Sequence, residues 1–232
     1  MGRKFFTLSY DDGTVFDRRL VKLLNTYGLK ATFNLNSGLF GMRHEIHWDR
    51  YTVDHSEIEA EEVESLYRGH EVAAHTLTHP NLLEVSPEEA VRQVEEDRKA
   101  LSALCGYAVR GMAYPGGLGT NDALVAILRD RTQVEYARTI CSHRKFLLPD
   151  NWLVWHPTEY HCAEDLTELG DAFLKAESEA DLLFYVWGHS YELEAFRAWE
   201  RAEAFFEKMA GHDDIIYATN IEVKDRITGA VK

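Results

Sequence analysis

Five side chains in this sequence could share one piece of chemistry. They are Asp11 and Asp12 in Leu8-Ser9-Tyr10-Asp11-Asp12-Gly13-Thr14, His75 and His79 in His75-Thr76-Leu77-Thr78-His79-Pro80, and His189 in Trp187-Gly188-His189-Ser190. Adjacent carboxylates repel, and each resists burial unless it is paired or bound to a cation. A solvated Asp-Gly turn is one way to keep them. A cation is the other. Two imidazoles and one carboxylate bind Zn²⁺ or a similar divalent ion facially and leave positions for water and substrate. One Asp of the pair would bind the ion. The other would stay ionised beside it and act as a base toward a water whose pKa the ion lowers. The four-residue spacing of His75 and His79 puts two imidazoles on one face of a helix. Pro80 disfavours helix at His79, so a turn is expected instead, and the rings can still converge.

For these residues to meet, distant segments must end at one place. Strand-like and helix-like patterns alternate along the whole chain, which is the signature of βα units and a mainly parallel sheet. Strands are expected at Phe5 to Tyr10, Ala31 to Leu35, Glu71 to Ala74, Val109 to Tyr114, Val134 to Ile140, Leu182 to Trp187 and Ile215 to Ala218. Helices are expected from Phe16 to Tyr27, from a capping box at Ser56-Glu57-Ile58-Glu59 to Gly69, from Ser86-Pro87 to Gly106, from Thr120 to Arg129, up to about Ala176, and from Leu193 to Met209. Seven strands each followed by a helix predict an α/β fold: a closed or nearly closed, distorted seven-stranded β/α (TIM-like) barrel, one domain over residues 1–232. An open doubly wound sheet is the alternative. In such barrels function sits at the C-terminal strand ends. Asp11 and Asp12 follow strand one, and Asn36 and Ser37 follow strand two. His75 and His79 follow strand three. Tyr114, Pro115, Gly116 and Gly117 follow strand four, Gly188 and His189 strand six, and Thr219 and Asn220 strand seven.

The ordered set SYDDG, HTLTH, MAYPGG and WGHS resembles the polysaccharide deacetylase family, metal-dependent carbohydrate esterases of the family 4 type. The resemblance runs from residue 4 to about 220 and implies the same distorted β/α barrel. It implies Asp11 as general base, Asp12, His75 and His79 as metal ligands, and His189 as the acid that protonates the leaving amine. Trp187 would border the acetyl pocket. The backbone after Tyr114-Pro115, reaching Gly116, would help hold the oxyanion. The ion implied is Zn²⁺, with Co²⁺, Ni²⁺ or Mn²⁺ possible. The third motif departs from the family pattern, which carries an Arg before the proline and an aromatic after it. Here Ala113 and Gly116 stand there, and Arg110 lies three residues upstream. Asp150-Asn151-Trp152 is a faint echo of the acidic fourth motif, and Trp152 is a candidate substrate contact.

The chemistry holds together without the family. Amide hydrolysis needs an activated water, charge stabilisation at the carbonyl oxygen, and a proton for the departing nitrogen. The expected activity is removal of an N-acetyl group from an amino sugar or oligosaccharide. Another C–N amide, an O-acetyl ester, or sugar binding without catalysis on the same barrel are the alternatives. Two long connections could shape the substrate pocket. Residues 37–55 carry His44, Glu45, His47, Trp48 and Asp49, and residues 141–163 carry His143, Trp152, Trp155, His156, Glu159 and His161. His156 and His161 could bond substrate, but the reading expected for them is that of ordinary surface histidines.

The bulk numbers fit. The chain has 232 residues, 45% of them hydrophobic, enough for a full core. A net charge of −14 argues against nucleic acid as a partner. Three scattered cysteines, Cys105, Cys141 and Cys162, argue against a disulfide framework and fit a reducing compartment. The apolar runs are too short to span a membrane. The first residues run straight into strand-like sequence without a signal peptide's apolar region, so a cytoplasmic location is expected, with a secreted chain trimmed of its leader as the alternative. The expected partner is a small-molecule or oligosaccharide substrate.

Overall fold

The computed structural model describes residues 2–48, 51–116 and 120–230. Asp49, Gly117 and the side chain of Trp48 lie outside what is described. The strands are β1 (Lys4–Asp12), β2 (Ala31–Leu35), β3 (Glu45–Trp48), β4 (Tyr51–Asp54), β5 (Glu71–Ala74), β6 (Gly111–Ala113), β7 (Tyr136–Arg138), β8 (Glu159–Tyr160), β9 (Leu182–His189) and β10 (Ile215–Tyr217). The helices are α1 (Asp17–Thr26), α2 (Val63–Leu66), α3 (Pro87–Cys105), α4 (Asp122–Arg131), α5 (Leu166–Lys175), α6 (Ser190–Ala195), α7 (Trp199–Met209) and α8 (Asn220–Thr228). Parallel strands pair in the order β7-β6-β5-β2-β1-β9-β8, and the sheet curls into the half-barrel of a distorted TIM-like fold. The seven expected strands are β1, β2, β5, β6, β7, β9 and β10.

β1 is the axis of this arrangement, and every one of its residues is buried. β9 occupies one edge along its whole length, from Lys4↔Leu182 to Asp11↔His189. The other edge is divided. β10 takes Lys4 to Phe6, and β2 takes Leu8 to Asp12. Beyond β7, Trp155 bridges Arg138, its N–H donating to Ala137 O at 2.9 Å. A few residues on, Thr158 N–H donates to Tyr185 O and His161 N–H to Trp187 O, each at 2.7 Å. The segment 155–161 therefore runs from the edge of β7 to the edge of β9.

Strand alternation sorts the side chains into two layers. Phe6, Leu8 and Tyr10 of β1 join Leu20 and Leu24 of α1 in the large apolar cluster between sheet and helices. Burying each such side chain contributes about 1.5–3 kcal/mol. Phe5 enters a smaller cluster with Tyr136, Trp155, Leu183 and Tyr185. Above it the interior turns polar. Thr7 Oγ donates to Asn220 Oδ1 (2.9 Å), and Asn34 Nδ2 donates to Ser9 Oγ and to Asp11 Oδ1 (both 2.8 Å).

Several expectations need correction. Ser56-Glu57-Ile58 does not open a helix. Glu57 N–H bonds Met42 O and Ile58 N–H bonds Gly13 O, so this stretch runs extended beside Thr14. The capping box forms later, between Glu59 and Glu62, and α2 is a single turn. The connection 37–55 contains the antiparallel hairpin β3–β4. The expected helix 193–209 is two helices, broken where Arg197 takes φ 53°. Thr219 and Asn220 do not reach the rim. β10 lies beside the start of β1, so Asn220 bonds at the level of Thr7, four residues short of Asp11.

There, in the barrel interior, Glu71 Oε2 accepts from Thr32 Oγ (2.7 Å) and from Ile221 N–H in the first turn of α8 (2.9 Å), while Oε1 accepts from Tyr136 OH (2.8 Å). Burial raises the Glu71 carboxyl to about 7, and these hydrogen bonds only partly oppose it. A folded-state pKa above the unfolded value means stability that is present at low pH and lost as pH climbs from about 4.5 to about 7. Glu71→Gln keeps a neutral group that can donate to the Tyr136 oxygen. Melting temperatures measured from pH 5 to 8 are expected to fall less steeply for Glu71→Gln than for the parent chain; parallel curves would overturn this reading.

Candidate metal and acid–base site

The end of β1 brings its two carboxylates to one side. Alternation alone would send Asp11 inward and Asp12 outward under the helices. Asp12 instead adopts φ 77°, followed by Gly13 at φ 74°, and this left-handed turn carries its carboxylate onto the rim. Asp tolerates that conformation better than most side chains, and Gly13 tolerates it freely.

Asp11 is 2% exposed. Its Oδ2 is ion-paired with Arg138 Nη2 and its Oδ1 accepts from Asn34 Nδ2. Arg138 comes from the end of β7, is wholly buried, and lays its guanidinium over the Trp187 ring, 4.8 Å from the centroid. Arg110 has no part in this. It points elsewhere, to Glu135 (2.6 Å) and to Asp225 in α8 (2.7 Å). Arg138 thus pairs with the buried carboxylate for which the third motif has no Arg.

Asp12 sits among four imidazoles. Its Oδ1 is 3.6 Å from His75 Nε2 and 3.7 Å from His79 Nε2. Its Oδ2 is 3.3 Å from His55 Nε2 and 3.9 Å from His189 Nε2. Burial disfavours charge on Asp12, but His55 and the other imidazoles outweigh it and hold the carboxyl far below the usual range. His55 is itself raised to about 9, because Asp12 and Glu57 outweigh its own burial. His75 goes the other way: burial lowers it to about 4.

The His75–His79 segment is a turn, as Pro80 requires, with Thr76 at φ 69° and His79 at φ 58°. Its backbone is clamped. Asp97 of α3 accepts from His75 N–H (3.0 Å) through Oδ2 and from Ser37 N–H (2.7 Å) and Oγ (2.6 Å) through Oδ1. Asn36 Nδ2 donates to the carbonyls of His75 and Thr76. His75 Nδ1 donates to Ala113 O (2.9 Å), which leaves Nε2 as the lone-pair nitrogen facing Asp12. One ligand atom each from Asp12, His75 and His79 lie within 4.8 Å of one another. Ligands at about 2.1 Å from a tetrahedral ion would be about 3.4 Å apart. The donor set and spacing therefore fit a divalent ion.

His189, at the end of β9, directs Nε2 to within 3.9 Å of Asp11 Oδ2 and of Asp12 Oδ2. Its Nδ1 lies 3.0 Å from Glu192 Oε2. Burial disfavours the charged imidazole, but the Glu192 carboxylate outweighs it and raises His189 to about 10.

A family model described as Polysaccharide deacetylase matches residues 1–134, more than half of the sequence. The chain belongs to the polysaccharide deacetylase family. Chitooligosaccharide deacetylase of Sinorhizobium fredii (strain NBRC 101917 / NGR234) is 31% identical over 120 residues, 50% of this chain and 49% of that protein. The matched stretch thus spans about half the length of this curated relative. Among solved structures, peptidoglycan deacetylase PdaC from Bacillus subtilis superposes with a TM-score of 0.58 at 17% identity, covering 98% of this chain and 93% of that one. The 4-alpha-glucanotransferase from Thermococcus litoralis gives a TM-score of 0.65 at 14% identity over 97% of this chain and 41% of its own. At these identities the likeness to solved structures shows the fold alone.

The family motifs Asp11-Asp12, His75/His79 and His189 converge as the spacing led one to expect. The other candidates divide. Trp187 is 8% exposed and lines the wall beneath Arg138 and beside His189, at 5.7 Å between ring centroids. Tyr114 and Pro115 are buried, and the Tyr114 hydroxyl donates to Leu153 O (2.9 Å), so only the backbone of that turn is offered to a ligand. Gly116 is exposed. Trp152 packs edge-on against Trp155 at 4.8 Å, with the inner apolar cluster. His161, expected at the surface, is buried against Glu192. His55, Arg138, Asp97 and Glu192 were not foreseen. Arg138 escaped because the expected strand ran to Ile140, whereas the observed strand ends at Arg138 itself.

Removing the cation from a buried pair costs about 3–5 kcal/mol, whereas a partly exposed pair is worth about 0–1 kcal/mol. Arg138→Met is therefore expected to lower the urea midpoint far more than Arg110→Ala. Equal shifts would mean that Asp11 does not depend on Arg138. In Asp97→Asn one acceptor is replaced by an NH₂ group, which would face an N–H or the Ser37 hydroxyl. The expected loss is about 1–3 kcal/mol together with weaker divalent-ion binding by calorimetry.

Proposed function

We propose that the protein is a metal-dependent hydrolase that removes the N-acetyl group from an amino sugar in a soluble oligosaccharide, with N-acetylglucosamine oligomers as the favoured class. One observation carries this reading. A carboxylate paired with a buried Arg, a carboxylate–imidazole–imidazole set and a third imidazole all face one point on the rim. The relative's printed name, chitooligosaccharide deacetylase, supports the substrate class. Among the described residues no helix is long and apolar enough to cross a membrane.

Asp12, His75 and His79 would hold the ion, Zn²⁺ by donor type. When bound, such an ion acidifies water and polarises a carbonyl. Asp11 is the base. Arg138 and Asn34 hold its carboxylate in place, and it takes the proton of the water that attacks the acetyl carbon. His189 is the acid. Its Nε2 proton goes to the departing nitrogen, which leaves as a neutral amine. Tyr114 N–H is committed to Arg138 O and Pro115 has no N–H. Gly116 therefore supplies the first backbone N–H on that turn for the developing oxyanion. Trp187 walls the side where the acetyl methyl would rest.

The test is acetate release from N-acetylglucosamine and its oligomers after chelation and after Zn²⁺ is restored. Activity is expected to vanish with chelator and return with the ion. Asp11→Asn is expected to keep stoichiometric metal while turnover falls about 10²–10⁴-fold. Asp12→Ala, His75→Ala and His79→Ala are expected to lose metal as well. Full activity in Asp11→Asn would sink the role of base, and silence of the metal-loaded parent across the panel would sink the substrate class.

A further inference from the structure

Behind His189 lies a buried cluster that the reaction above leaves unused. Glu192 stands three residues after His189 in the first turn of α6. One of its oxygens, Oε2, gathers three contacts. It accepts from His161 Nε2 at 2.9 Å and from His189 N–H at 3.1 Å, and it lies 3.0 Å from His189 Nδ1. The Tyr160 hydroxyl faces the same carboxylate. His161, Glu192 and Tyr160 are drawn together by the segment that links β7 to β9.

The His161 ring has little freedom. Its own N–H is tied to Trp187 O at 2.7 Å. Its ring meets Tyr10 edge-on at 5.5 Å and Tyr160 at 4.9 Å. It also lies directly over Gly188. A Cβ at that position would stand 2.1 Å from His161 Cδ2, so the glycine of WGHS is what lets the imidazole in. Burial keeps His161 below an ordinary histidine, and as a neutral ring hydrogen-bonded to a carboxylate it carries its proton on Nε2. A glutamate side chain has three rotatable bonds, and a second donor on the same oxygen removes much of that freedom.

We propose that His161 is a positioning residue for the acid. By gripping Glu192 Oε2 it fixes the carboxylate beside His189 Nδ1, and this aims His189 Nε2 at the leaving nitrogen. The inference rests on the function proposed above, and its test separates the two. An amine cannot leave an N-acetyl sugar without a proton. A 4-nitrophenolate leaves 4-nitrophenyl acetate unprotonated. A residue that acts through the acid should matter for the first substrate and not for the second; one that merely fills the wall should affect both alike.

In the zinc-loaded enzyme, His161→Ala is expected to lower kcat on an N-acetylglucosamine oligomer about 100-fold, the scale for a misaimed group. KM for the oligomer and turnover of 4-nitrophenyl acetate should each stay within about threefold, well under that loss. His161→Gln, whose side-chain NH₂ can replace Nε2–H, should recover most of the loss, and His189→Ala should share the substrate pattern. An equal fall on both substrates, an unchanged kcat on the oligomer, or a glutamine no better than alanine would overturn the proposal. If the parent releases no acetate from the oligomer, the proposed function has failed, and the positioning claim is read by proton NMR instead. A low-field His189 Nδ1–H signal, identified by its loss in His189→Ala, should be present in the parent and lost in His161→Ala. Its persistence in His161→Ala would overturn the proposal.

Discussion

Two neighbouring carboxylates are packed inside the end of a buried strand, and the surroundings of the site are arranged around that constraint. Removing an ion from water costs several kcal/mol, which only close opposite charge and satisfied hydrogen bonds offset. The two aspartates meet that cost differently. Asp11 has a permanent guanidinium, Arg138, and an amide donor, Asn34. Asp12 has, among the described residues, imidazoles, whose charge is conditional. The difference matches the division of labour proposed for them. A base must be held in place whatever is bound, whereas a ligand is best left beside nitrogen donors, His75 and His79, that an ion can share.

The supporting layer is as specific as the site. Asp97 and Asn36 hold the backbone of the His75–His79 turn, and the Ala113 carbonyl selects the His75 nitrogen that faces Asp12. Glu192 does comparable work for His189. These contacts come from α3, β6, α6 and the loop after β2. A site on strand ends inherits its rigidity from the sheet, and its aim from such outer contacts.

Much of this was legible in the sequence, for physical reasons. The parallel strands announce themselves as short apolar runs, and the barrel follows from their alternation with helices. Asp11, Asp12, His75, His79 and His189 were found because polar groups at the ends of buried strands need a reason to be there. What stayed hidden depends on side-chain reach across the barrel. Arg138 is 127 positions from Asp11. His161 looked like any loop histidine, because the strand-like path of 155–161 leaves only short local signals. The Ser56 box failed because its backbone donors were claimed by Met42 and Gly13 from other parts of the chain, a contest that local propensity does not see. Asp12 depends on a dihedral angle, and the Asp-Gly pair gave a turn signal without saying which way the side chain would swing.

The divided edge of β1 has a consequence for how the molecule is made. β1 is synthesised well before the strands that complete its edges, because β9 and β10 begin only at Leu182 and Ile215. Until β9 exists, the nascent chain carries a nine-residue strand, buried throughout in the finished fold, with one whole edge and part of the other unpaired. Such pairing closes a very long loop and is slow, and an open edge is a template for association with other chains. Asp11 and Asp12 sit at the end of that strand. Two like charges there oppose stacking of identical strands in register, so the pair that defines the finished site also guards the unfinished chain.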